Sequence, residues 1–96
     1  MADGLTYSKA VSASTAAAST PFGFKAYHIR IVPDTTQQVW FNVNSTAVAV
    51  NSTSDNQSFP LVAGTTNTIT MDVGGCTVVS YLTTAGTGAP RITAWR

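Results

Sequence analysis

Charge is scarce in this chain. Charged side chains make up 9% of the 96 residues, against about 25% in an average soluble protein, and glutamate is missing altogether. The full set is Lys9, Lys25, Arg30, Arg91 and Arg96 against Asp3, Asp34, Asp55 and Asp72, with His28 as the single histidine. A formal net charge of +1 argues against a protein that binds nucleic acid by neutralising phosphates, and equally against a polybasic membrane anchor. Neither nucleic acid nor a membrane is expected as a partner. Cysteine is as rare as histidine. Cys76 alone cannot form an intrachain disulfide, and one Cys with one His is too few for the usual structural zinc site. No run approaches the roughly 18 apolar residues of a membrane span. Met1 to Leu5 lacks the basic and apolar regions of a signal peptide, so folding in the cytoplasm is expected.

The same shortages bear on chemistry. A catalytic site needs positioned acids, bases, nucleophiles or metals, and one histidine with four scattered aspartates supplies little of this. No enzyme activity, no cofactor and no metal site is expected. His28 reads as a histidine on the more polar face of a strand. Asp34, Asp55 and Asp72 fit no EF-hand spacing and sit where turn chemistry explains them. Gly74-Gly75 and Gly86-Thr87-Gly88 lack the strand-to-helix context of a phosphate loop. The sequons at Asn44, Asn51 and Asn56 are read as chance products of a chain rich in Asn, Ser and Thr.

What is abundant is valine, isoleucine and threonine, whose branched side chains pack well on a pleated sheet. Alternation with a period of two predicts strands over Phe24–Val32, Gln38–Asn44, Ala47–Val50, Thr65–Val73, Cys76–Leu82 and Arg91–Trp95. In the first of these, Tyr27, Ile29 and Ile31 are expected to face the core. In the second, Val39, Phe41 and Val43 are expected inside and Trp40 elsewhere. Pro33-Asp34-Thr35-Thr36 predicts a turn, Asn51–Gln57 a polar loop, and Gly74-Gly75 a two-residue hairpin. The fold class expected is all-β: a small antiparallel β-sandwich or barrel of about six strands. Residues 1–21, rich in Ala, Ser and Thr, are expected to form an extended arm ending at Pro21, with the β-domain over 22–96.

The order of features is His28-Ile29-Arg30-Ile31-Val32, Val39-Trp40-Phe41-Asn42-Val43, Phe59-Pro60-Leu61-Val62-Ala63-Gly64, Gly74-Gly75 and Gly86-Thr87-Gly88. It resembles the small all-β virion proteins of tailed bacteriophages that act as capsid decoration, or cement, proteins. The resemblance implies a non-enzymatic role on the virion, with the chain made in the host cytoplasm and placed on the outside of the shell. It implies two partners: further copies of the chain, as dimers or trimers, and the major capsid protein. Candidate interface residues are Leu5, Tyr7 and Val11 in the arm, Trp40 in the sheet, and Trp95 and Arg96 at the end, Trp and Arg being frequent interface anchors. Two other readings stay open. One is a structural protein of a phage tail, head fibre or neck. The other is a carbohydrate-binding β-sandwich using Trp40, Tyr27 or Tyr81.

Overall fold

The computed structural model describes residues 5–43 and 58–96. The expected strand at Ala47–Val50, the loop at Asn51–Gln57, and Asp3 and Asp55 lie outside these. Among the described residues six strands form one antiparallel sheet: β1 (Thr6–Ala10), β2 (Ala18–Val32), β3 (Val39–Val43), β4 (Phe59–Leu61), β5 (Ile69–Thr83) and β6 (Arg91–Trp95). Their spatial order is β1-β6-β2-β5-β3-β4. A short 3-10 turn, Thr65–Asn67, precedes β5. The small all-β fold expected from composition is therefore present.

Two strands of 15 residues, β2 and β5, form the spine. The C-terminal part of β2 pairs with the start of β5 on one side and with β6 on the other. The N-terminal part of β2 pairs with the later part of β5, whose other edge carries β3 and then β4. Each long strand thus runs through both halves of the sheet. Side chains from both halves meet in one core, which includes Phe22, Ala26, Ile29, Ile31, Phe41, Val79, Tyr81 and Ile92. Residues 11–14 close the structure. Val11 N–H donates to Pro90 C=O at 2.9 Å, Ala13 and Gly88 exchange bonds at 2.8 and 3.0 Å, and Thr83 N–H donates to Ser14 C=O at 2.8 Å.

The sheet turns where its register slips. Pro21 faces Val78, Ala26 faces Cys76 and His28 faces Asp72. Between the first two pairs β2 advances five residues against two on β5; between the second and third it advances two against four. Such bulges bend and twist a strand. Gly23 and Gly75 lie in these stretches with φ of 81° and 96°, a conformation that costs an L side chain free energy. Gly74-Gly75 therefore makes no hairpin. The glycines are used to bend one continuous strand, and the two strands expected on either side of them are one, β5.

The bulge also moves Tyr27 off the core face. Ala26, Ile29 and Ile31 are buried, while Tyr27 and His28 both lie on the outward side. The segment expected as an arm supplies β1 and the start of β2, and its Val11 and Ala13 are core residues. Proline placement follows hydrogen-bonding need. Pro33 ends β2, Pro60 sits on the edge strand β4, and Pro21 lies where β2 has β5 on one side and no β6 pairing on the other.

Candidate functional site

The outward face of the β6–β2–β5 half-sheet collects most of the chemically distinctive side chains. Its rows follow from the register. His28 lies between Trp95 of β6 and Asp72 of β5, and Arg30 lies between Thr93 and Thr70. Ile29, Ile31, Ile92 and Ala94 are buried beneath, so alternation sends His28, Arg30, Arg91, Thr93 and Trp95 outward.

At one end of this face the groups touch. His28 Nδ1 is 2.7 Å from Asp72 Oδ1, and the His28 ring stacks on Trp95 with centroids 5.4 Å apart and 21° between planes. The Arg96 guanidinium lies over Tyr27, 5.5 Å from the ring centroid. The Arg96 N–H donates to Leu5 C=O at 3.3 Å, which places the start of β1 beside the same corner. An Asp–His pair can polarise a nucleophile only if the third member is present. Here Trp95 covers one face of the His28 ring, and Asp72 is 89% exposed. Exposed side-chain pairs of this kind contribute little to stability. The corner sets an imidazole, two aromatic rings and a guanidinium side by side on one face. Among the described residues no three His, Cys, Asp or Glu side chains come close enough to hold a metal ion.

The six residues expected at an interface separate into two sets. Leu5, Trp95 and Arg96 come together at this corner, with Leu5 36% exposed. Tyr7, Val11 and Trp40 do not join them. Tyr7 is half-buried, packed on Phe22 and hydrogen-bonded to the Thr20 hydroxyl. Val11 belongs to the core. Trp40 is 3% exposed and packs with Leu82, which it faces in register. Tyr81 is also buried, and burial together with the nearby Tyr7 pushes its phenol above the ordinary tyrosine range. Trp40, Tyr27 and Tyr81 therefore form no common platform for a sugar ring. Asp72 was read from sequence as a turn residue. Its role beside His28 depends on a cross-strand pairing 44 residues apart, which no local pattern encodes.

A second polar cluster is structural. Asp34 Oδ2 accepts the N–H groups of Thr36 and Gln37 at 2.9 and 2.8 Å and the Thr36 hydroxyl at 3.1 Å, while Oδ1 accepts the Ala89 N–H at 2.8 Å. These donors hold its pKa down at about 2, the Ala89 N–H contributing most. The turn expected at Pro33–Thr36 is present, and it also binds a distant loop.

A solved structure shares this fold. A subunit of the Bacillus endospore appendages, described as a family of disulfide-linked pili, superposes with a TM-score of 0.54 at 15% identity, covering 93% of this chain and 81% of that one. The coat protein of Tobacco streak virus aligns over 97% of this chain and 87% of its own with a TM-score of 0.45 at 12% identity, too low to add to the fold assignment. No family model matches the chain, and the search of curated proteins returns no match.

Proposed function

We propose that this protein is a non-enzymatic structural subunit of a repetitive assembly, acting as a capsid decoration protein on the outside of a viral shell. The observation that carries the reading is the corner where Leu5, Tyr27, His28, Trp95 and Arg96 converge on an exposed sheet face. Exposed aromatic and arginine side chains beside an apolar residue are the composition of an interface centre. Its partners in this reading are copies of itself, as dimers or trimers, and the major capsid protein.

A second reading, a subunit of a fibre, tail or other filament, is favoured by the fold shared with the appendage subunit. That protein's pili are disulfide-linked, whereas Cys76, the single cysteine here, is fully buried, so a filament of this chain would be held by non-covalent contacts.

Immunogold electron microscopy of virions and filaments from the organism that encodes the chain separates these roles, alongside sedimentation velocity of the purified protein. Label on shells and a dimer or trimer in solution are expected. Label on filaments alone moves the assignment to the second reading, and a monomer absent from all particles removes both.

A further inference from the structure

The near-neutral net charge conceals a segregated one. Of the five cations in the sequence, Lys25, Arg30, Arg91 and Arg96 all fall on the outward side of the β6–β2–β5 half-sheet, together with His28. Arg91 faces Val32 in register, which makes it the diagonal neighbour of Arg30 at roughly 7–8 Å. At the other end, Lys25 and Tyr27 both lie over Gly75, and Arg96 covers Tyr27. The basic stripe follows β2 for roughly 20 Å.

Among the described residues the one side-chain carboxylate on this face is that of Asp72, and it is engaged by His28. Arg91 Nε donates to the Ser8 hydroxyl, a neutral partner, at 3.1 Å. Thr70 and Thr93 flank Arg30 and add hydroxyls between the charges.

We infer that this face is a docking surface for an acidic protein, a different chain whose own surface is rich in aspartate and glutamate. Charge complementarity selects that occupant. A second copy is a poor match, because the whole sequence holds four aspartates and no glutamate. Of these, Asp72 lies on the basic face itself and Asp34 is consumed by four hydrogen bonds. A nucleic acid is matched less well. Four cations are few against the 6–10 phosphate contacts of a typical DNA binder, and Tyr27 and Trp95 each have one ring face taken, by Arg96 and His28. Scattered cations interleaved with hydroxyls suit single carboxylates. Such contacts set partner choice and association rate.

The inference deepens the proposed role by naming the class of the non-identical partner. Its test uses the full chain and a fluorescein-labelled poly-glutamate peptide at low ionic strength, read by anisotropy. Binding that weakens with salt is expected. A Lys25→Ser/Arg30→Ser/Arg91→Ser variant, altered only at exposed positions, is expected to bind roughly tenfold more weakly. Asp72→Asn removes the opposing charge and is expected to bind about twofold more tightly. No binding by the parent chain, equal binding by the triple variant, or tighter binding to an oligothymidylate of equal charge overturns the inference. The peptide assay needs no assembly, so its failure leaves the structural role standing. Absence from particles with peptide binding intact removes the role alone.

Discussion

The carboxylate of Asp34 accepts the Ala89 N–H at 2.8 Å, across 55 residues of sequence. The Asp34 backbone carbonyl accepts the Gly64 N–H at 2.8 Å. One residue therefore ties together the loops after β2, β4 and β5. Asp34→Ala removes the acceptor for three backbone or hydroxyl donors near it and one from afar, and is expected to cost about 1–3 kcal/mol in urea unfolding.

The same group sets an acid dependence. Its folded pKa of about 2 lies below the ordinary value of 3.8, so folding favours the charged form. The stabilisation is fully present above pH 3.8 and is lost as pH falls from there through about 2. Unfolding curves across this window should show the loss in the parent chain and a much smaller one in Asp34→Asn.

The bent strands make a different prediction. A methyl group at Gly23 meets no atom within 4 Å, so any penalty at that position comes from its φ of 81°. Gly23→Ala and Gly75→Ala are each expected to cost about 1–3 kcal/mol. Destabilisation at Gly23 without any steric contact isolates the backbone term. Calorimetric melting of both variants reads it.

The two tryptophans should behave oppositely. Trp40 is buried against Leu82 and Trp95 is half-exposed beside His28. Trp40→Ala is expected to cost about 3–5 kcal/mol. In the single-tryptophan variants Trp40→Phe and Trp95→Phe, acrylamide should quench the emission of Trp95 strongly and that of Trp40 weakly.

Edge protection can be tested at β1. Lys9 lies on the same side of β1 as Tyr7 and opposite buried Ile92, while remaining exposed. A charge on the core side of an edge strand blocks pairing with another chain, as Pro60 does on β4. Lys9→Val should leave the melting temperature close to that of the parent and increase light scattering on heating.

Deleting residues 1–14 removes β1 with buried Val11 and Ala13. The truncated chain is expected to be unfolded by circular dichroism. The sequence-based view of an arm predicts a folded remainder instead.

How far the sequence was legible depends on the range of the interactions. Alternation located β3, β6 and most of β2 and β5, since side-chain period is a local property. It correctly put Phe41 inside and Trp40 on the other side of β3. It failed at Tyr27 and at Gly74-Gly75, where a bulge changes the facing of the residues beyond it and glycine fits a bend as readily as a turn. The Ala- and Ser-rich start read as an arm because β1 earns its place through pairing with β6, at the far end of the chain. The corner was half visible. Trp95 and Arg96 stood out by residue type, but their neighbours Tyr27, His28 and Asp72 are brought to them only by the register of three strands.

The position of β6 between β1 and β2 also governs how the molecule can be made. Thr6 pairs with Trp95 and Ala18 with Tyr81, so an edge ladder and a central one both join segments far apart in sequence. High contact order of this kind slows folding into the millisecond-to-second range. On the ribosome, β1 and β2 must wait with a gap between them until residues 91–95 emerge. Until then Ile29 and Ile31 lack the strand that covers one flank, and apolar surface exposed in this way is what makes incomplete chains prone to aggregate.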